Sequence, residues 1–230
     1  MQRTIALCGG NEFDQASMAF SRAILQLIEH SQAKHIVLLP VAATDNPRKT
    51  IRNGTGHFYA VGARPEAIMV VDKATAQDPL VSAPIETADV IYLADGNPLD
   101  AVEGLADTEA LLKIIHYWSE GAILAASGAA AMALCDLYWD SGVWEKGLGV
   151  IKGIVVLPHH ANIAGRFSGE RLREGLPANY TILGLDDSTG VVIRGQEAVV
   201  VGPDIVTVYR ADGEQEYEDG ARFTLDQPLS

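Results

Sequence analysis

The sequence predicts an α/β fold built on a doubly wound, mostly parallel sheet, with a β-rich C-terminal extension. Three observations predict it. Short apolar runs that suit buried strands alternate with longer stretches whose apolar residues recur at helical spacing. The early runs stop abruptly at Gly, Pro or Asp turns, as strands do when the chain must cross back over a sheet. Beyond about residue 180 the helical spacing disappears, and β-branched runs are separated only by Gly or Asp turns.

Taken in order, Thr4 to Cys8 reads as a first buried strand stopped by Gly9-Gly10-Asn11. From Asp14, a plausible N-cap, to Glu29 the residues Met18, Phe20, Ile24, Leu25, Leu27 and Ile28 mark one helix face. His35 to Leu39 is the next strand, closed by Pro40. The turn Thr44-Asp45-Asn46-Pro47 opens a second helix, with Pro47 in its first turn and Gly62 near its end. Ala67 to Val71 is expected as a third strand, and Asp72 to Thr87 as a connection with one short helix. Val90 to Leu93 is a fourth strand, and a single helix is expected from about Leu99 to Trp118. Leu137 to Gly149 reads as an aromatic, Gly-rich loop, Gly153 to Leu157 as a strand ending at Pro158-His159-His160, and Arg166 to Glu174 as a charged helix. Tyr180 to Tyr209 then supplies short strands that extend the sheet in antiparallel fashion. No repeat, low-complexity tract or dividing linker interrupts the chain, so residues 1–230 read as one domain. In a sheet of this kind ligands bind off the carboxyl ends of the strands, where the turns after Cys8, Leu93 and Ala126 are expected to gather.

Composition narrows the function. A hydrophobic share of 48% and a charged share of 20% over 230 residues suit a globular core. The formal charge of -13 disfavours nucleic acid and anionic membrane as partners. Cys8 and Cys135 both stand in apolar contexts and form no CxxC or ligand cluster, which suits free thiols in a reducing compartment. The N-terminal residues run straight into a strand without the pattern of a signal peptide, and no apolar stretch is long enough to span a membrane. These features together predict a soluble, cytoplasmic protein.

The most informative stretch is Gly121 to Ala133. An apolar run, Ala122 to Ala126, ends at Ser127, and the small residues Gly128, Ala129 and Ala130 follow. Strand, sharp turn and helix is the arrangement of a nucleophile elbow, where small neighbours let the backbone double back and the helix N-terminus faces the serine. The usual Gly-x-Ser-x-Gly spacing is absent, because Ala125 and Ala129 hold the outer positions. The same stretch equally suits a small-residue helix packed on the sheet with Ser127 as its N-cap. Geometry separates the two: a nucleophile has φ > 0 and a hydroxyl within reach of a histidine nitrogen, whereas an N-cap serine has neither.

A serine nucleophile needs a base, and the base needs an acid to orient it. Of six histidines, His159 and His160 stand at a strand end on the expected edge. Adjacent residues leaving a strand point in opposite directions, so at most one faces the serine. The His-His pair lacks a partner at metal-ligand spacing, and no metal or other cofactor is implied. Asp136, Asp140, Glu145 and Asp187 are all open as the acid. Oxyanion donors are expected from the Gly128 N–H and from the turn Asp95-Gly96-Asn97, where Gly96 admits a close backbone.

These motifs, in this order, resemble peptidase family S51, which includes the α-aspartyl dipeptidases called peptidase E and the cyanophycinases. Ser127-Gly128-Ala129-Ala130 is similar to the family's Ser-Ala-Gly-Ala elbow with Gly and Ala exchanged, and Asp95-Gly96-Asn97 to its Gly-Gly-Asn turn. Gly147-Leu148-Gly149-Val150 and Pro158-His159-His160 resemble its Gly-Leu-Gly-Leu and Pro-His-Phe segments, and Gly184-Leu185-Asp186-Asp187-Ser188-Thr189 its Gly-Ile-x-Glu-x-Thr. Gly9-Gly10 after the first strand also fits, so the resemblance runs from about residue 4 to 195. It implies a flavodoxin-like fold akin to class I glutamine amidotransferases. It also implies a serine peptidase that hydrolyses short aspartyl peptides through an acyl-enzyme.

On that match Ser127 is the nucleophile and His159 the base, with His160 in place of the family's Phe. The resemblance favours an acid between serine and histidine, hence Asp140, then Glu145, with Asp136 and Asp187 as further alternatives. Gly96 and Gly128 form the oxyanion hole, and Asn97 beside them contacts substrate. Arg166 and Arg171, whose forked guanidinium suits a carboxylate, receive the aspartyl side chain. Asp95 in place of a glycine departs from the family and points either to altered specificity or to lost activity. The resemblance leaves two alternatives, a cyanophycinase or β-aspartyl peptide hydrolase and a non-catalytic amidotransferase-like binding protein, and it implies a monomer or homodimer.

Overall fold

The chain alternates strand and helix through its first half. A computed structural model describes residues 2–28, 34–163 and 167–229. It begins β1 Thr4–Cys8, α1 Met18–Gln26, β2 His35–Leu39, α2 Pro47–Ala60 and β3 Arg64–Ala67. After α3 Lys73–Gln77 and a 3₁₀ turn at Ala83–Thr87 come β4 Val90–Leu93, α4 Pro98–Leu105, α5 Glu109–Glu120, β5 Ile123–Ser127 and α6 Gly128–Leu134. The second half is mainly β: β6 Leu137–Asp140, β7 Val143–Lys146, β8 Ile154–Leu157, then the short helices α7 His160–Ile163 and α8 Gly169–Arg173. The chain closes with β9 Thr181–Leu185, β10 Gly190–Arg194, β11 Glu197–Val201, β12 Val206–Arg210, β13 Gly213–Tyr217 and β14 Arg222–Thr224.

Eight strands form the main sheet in the order β14-β11-β10-β1-β5-β4-β2-β3. The block from β1 to β3 is parallel, and β10, β11 and β14 extend it antiparallel. The strands β1, β2, β4 and β5 are buried along their whole length, which explains why they read as unbroken apolar runs. A second sheet, β13-β12-β9-β8, contains the parallel pair β8 and β9. Between the two lies α6, wholly buried and in contact with β1, β5 and β8. Its Gly-Ala-Ala-Ala start is what lets it approach both sheets. One apolar cluster runs from Leu7 and Leu39 through Ala130 and Leu134 to Val156, Leu183 and Val208, so both sheets share a core.

Four expectations are corrected. The single helix from 99 to 118 is two helices, because Asp107 adopts φ 60° and Thr108 caps α5 by accepting from Leu111 N. The region 137–149 is no loop: β6 and β7 form a hairpin around Ser141 (φ 49°) and Gly142 (φ 101°). Two positive φ values at a two-residue connection match the twist of a hairpin. The third strand sits earlier, at β3, with Pro65 tolerated because β3 is an edge strand. The first helix starts at Met18 after Ser17 rather than after Asp14. Of the charged helix expected from Arg166, residues 164–166 lie outside the described residues, and α8 begins after its cap Ser168.

Cys8 and Cys135 are buried and free. Among the described residues no helix is long and apolar enough to cross a membrane.

Candidate functional site

Register brings three strand ends level. Cys8 of β1 pairs with Ser127 of β5, and Leu93 of β4 with Ala126 of β5. The turns that follow, 9–12, 94–97 and 127–129, therefore meet at one edge of the main sheet, as the alternation of strand and helix predicts. The second sheet delivers two more ends there. Leu157 of β8 aligns with Gly184 of β9, so Pro158-His159 and Asp186-Asp187 emerge side by side. Both are sewn to the first turn, since His159 N donates to Gly9 O (2.8 Å) and Ser188 N to Gly10 O (2.8 Å). A pocket of about 410 Å³ at the opposite edge, lined by Thr4, Asp89, Ile123 and Arg194 among others, contains neither serine nor histidine.

Backbone strain concentrates at this edge. Asn11 (φ 52°), Gly128 (φ 50°), His159 (φ 50°) and Ser188 (φ 57°) all adopt left-handed conformations. A histidine held there is unfavourable unless its surroundings over-determine it, which is a feature of functional sites. Gly10 is what makes room: its φ is 134°, and a Cβ on it would lie 2.2 Å from His159 Cε1.

The two histidines face different ways, His159 in a left-handed turn after β8 and His160 at the start of α7. His160 faces inward, almost fully buried, with Nε2 2.8 Å from the Tyr209 hydroxyl and Nδ1 3.8 Å from Asp186 Oδ1. His159 faces the edge with its side chain 40% exposed. Its Nδ1 lies 2.5 Å from Asp187 Oδ1 and its Nε2 3.4 Å from Asp95 Oδ2. The Asp95 carboxylate beside Nε2 chiefly, and the hydrogen bond with Asp187 against an opposing effect of burial, raise the His159 pKa to about 9. The ring is thus a cation at neutral pH, clamped between two carboxylates.

The acid at His159 is Asp187, not Asp140. Asp140 sits exposed at the end of β6 and accepts from the Ser141 hydroxyl, and Glu145 is exposed on β7. Asp136 accepts from the Tyr180 hydroxyl. Asp187 reaches the histidine because β8 and β9 are parallel neighbours, a pairing that sequence order does not display.

Ser127 is placed differently from the elbow expectation. It is fully buried, with φ -121° and ψ 148°, and its hydroxyl donates to Glu12 Oε2 at 3.4 Å rather than to a histidine. The positive φ of the strand-to-helix turn belongs to Gly128. Side-chain direction alternates along a strand, so a shift of one residue turns the hydroxyl from the edge into the interior. No hydrogen bond joins Ser127 to His159.

The oxyanion donors also shift by one residue. Gly96 N and Ala129 N each donate to Asp95 Oδ1 at 2.7 Å, so Ala129 rather than Gly128 accompanies Gly96. A Cβ on Gly128 would lie 2.1 Å from the Asp95 carboxyl carbon. Burial acts to raise the Asp95 pKa, but the His159 ring beside it and the hydrogen bonds from Ala129 and Gly96 outweigh it and the pKa is lowered.

Glu12, which sequence reasoning did not single out, completes the cluster. It is 8% exposed and accepts from Asp95 N at 3.0 Å. Burial first, and the Asp95 charge second, raise its pKa to about 7. Two acids pushed in opposite directions at one edge are a mark of a functional site. The only signal in the sequence is an acid directly after the Gly9-Gly10-Asn11 turn.

The expected substrate contacts are otherwise engaged. Asn97 caps α4, its side chain accepting from Leu99 N (2.9 Å) and Asp100 N (3.4 Å). Arg171 pairs with Glu174, just past the end of α8, and donates to Gly142 O. Arg166 lies outside the described residues. Among the described residues no group of His, Cys, Asp and Glu is arranged to hold a metal ion.

Comparison with known proteins bears on this site. The profile of peptidase family S51 matches residues 5–201, which takes in every turn at this edge. A peptidase from an acI-B1 actinobacterium superposes with a TM-score of 0.85 at 22% identity, covering 98% of each chain. A protein from Listeria monocytogenes EGD-e, described as a candidate peptidase E, superposes with a TM-score of 0.65 at 16% identity, covering 89% of this chain and 100% of its own. At these identities the two structures show a shared fold. No curated protein matches the chain in sequence.

Proposed function

The chain belongs to peptidase family S51, and from that premise we propose that it receives short peptides at the His159 edge while holding its catalytic apparatus closed, so that recognition rather than Ser127-dependent cleavage is its resting activity. Family membership supports a peptidase, with peptides as its ligand class. The observation that carries the rest is the Asp95 carboxylate, bound at once by Gly96 N, Ala129 N and the His159 ring. With Nε2 facing Asp95 and the ring protonated, His159 has no lone pair with which to accept a nucleophile's proton at neutral pH. Buried free cysteines support a reducing, cytoplasmic location.

A second reading has its own support. The short contact between His159 and Asp187 is the base-and-acid half of a triad, and it favours a serine peptidase for short aspartyl peptides acting through an acyl-enzyme on Ser127. That route requires the 127–128 turn to rearrange until the hydroxyl leaves Glu12 for His159. Cyanophycin and β-aspartyl dipeptides are the substrates of its variant form.

Hydrolysis of Asp-Leu and Asp-p-nitroanilide by the wild type, beside Ser127→Ala and His159→Ala, separates the readings. On the first, turnover stays at the buffer background in all three proteins, while dipeptides shift the His159 ring signals in NMR spectra of the wild type. Wild-type cleavage that disappears in Ser127→Ala would overturn it in favour of the second.

A further inference from the structure

We propose that Asp95 is an intramolecular ligand of this site, its carboxylate standing where a substrate's acyl group would stand, and that Asp95 together with Gly128 is what separates the chain from an acyl-transfer hydrolase. The inference rests on the reading above, in which cleavage does not pass through Ser127.

The geometry is that of an occupied acyl site. Oxyanion holes hold the developing charge with two N–H donors about 2.7–3.1 Å away, one following the nucleophile and one from a neighbouring turn. Asp95 Oδ1 has just such a pair, Ala129 N and Gly96 N, both at 2.7 Å. Its other oxygen faces His159 Nε2 at 3.4 Å, the nitrogen that serves a nucleophile in this arrangement. The carboxyl carbon between them lies 2.1 Å from where a Cβ on residue 128 would be. Residue 128 also has the positive φ of an elbow apex, and the N–H of the next residue, Ala129, points to the site. An L-residue at 128 would therefore aim its side chain at the carbon that Asp95 now supplies. Glycine at 128 and aspartate at 95 require one another: the first leaves the space, and the second fills it and neutralises the donors.

The chemistry that follows is specific. With Asp95→Ala the donors and His159 Nε2 are released, and with Gly128→Ser a hydroxyl stands at the apex. Its oxygen attacks the carbonyl carbon of a p-nitrophenyl ester while its proton passes to His159 Nε2. The carbonyl electron pair moves onto the oxygen held by Gly96 and Ala129 N–H. Collapse expels p-nitrophenolate, which takes the proton from His159 to leave as p-nitrophenol, and water repeats the two steps to release the carboxylic acid and regenerate the hydroxyl.

The test compares the wild type, each single variant and Asp95→Ala/Gly128→Ser for labelling by a fluorophosphonate, with the labelled peptide located by mass spectrometry, and for p-nitrophenyl butyrate hydrolysis. The double variant is expected to be labelled at position 128 and to hydrolyse the ester on the order of 100-fold faster than the wild type. Adding Ser127→Ala should leave that rate in place, and adding His159→Ala should remove it. In Asp95→Ala alone, NMR titration of the His159 ring, which faces Asp187 and Asp95, should give a pKa more than about one unit lower. A folded double variant that is unlabelled at 128 would overturn the proposal, and so would a His159 pKa unmoved in Asp95→Ala, a readout that survives if the double variant does not fold. Labelling of Ser127 in the wild type would instead remove the reading on which the proposal rests.

Discussion

Replacing Glu12 by Gln tests the electrostatics of the site through stability. Glu12 is buried and accepts from Asp95 N and from the Ser127 hydroxyl, and burial raises its pKa from the ordinary 4.5 to about 7. An acid with a raised folded-state pKa contributes fully below its unfolded value and loses that contribution as pH rises through its folded value. The unfolded chain ionises from pH 4.5 and the folded protein only near 7, so stability falls across that window. At about 1.4 kcal/mol per unit the loss is about 3 kcal/mol. Glutamine keeps the shape and the bond from Asp95 N but takes the Ser127 hydroxyl's acceptor, at a cost of about 1 kcal/mol. The net expectation is that Glu12→Gln is about 2 kcal/mol more stable than the wild type at pH 8, and equal or slightly weaker at pH 4.5. His159, raised to about 9, loses its own contribution as pH rises from 6.5 through 9, but it does so in both proteins. Urea unfolding at pH 4.5, 6 and 8 measures the difference. A variant no more stable than the wild type at pH 8 would refute a buried, reluctantly ionised Glu12.

Three further outcomes follow from packing. Gly10→Ala places a Cβ against the His159 ring at a φ of 134° and should lower stability by about 2 kcal/mol and move the His159 pKa down, whereas Gly56→Ala, on the open face of α2, should raise stability by about 0.5–1 kcal/mol. Thermal unfolding and ring-proton titration distinguish the pair. Trp118→Phe removes a fully buried indole whose Nε1 donates to Thr4 O at 2.8 Å, leaving both a cavity and an unpaired carbonyl, so a loss of about 2–3 kcal/mol is expected in denaturant unfolding.

Several elements were legible before any coordinates. The strands β1, β2, β4 and β5 are covered on both faces, and that condition writes itself into sequence as an apolar run with a sharp end. From those ends the site's edge follows. Turn chemistry was less visible: Ser141-Gly142 makes a hairpin, and Asp107 breaks a helix, through left-handed residues that also occur in ordinary loops.

The chemistry at the edge was decided by tertiary structure. Among Ala125 to Ala130 every residue is small, so nothing local determines whether the apex falls on Ser127 or Gly128; the pairing of β5 with β1 and β4 does. Likewise four acids suited His159 by composition, and only the parallel pairing of β8 with β9 puts Asp187 beside it. Glu12 and Asp95 acquire their opposite protonation tendencies from burial and from hydrogen bonds made across the fold. Local pattern records which residues avoid water and where the chain turns. Which two polar atoms end within 3 Å of each other depends on register between segments far apart in the chain, and a sequence carries that information only through the fold it produces.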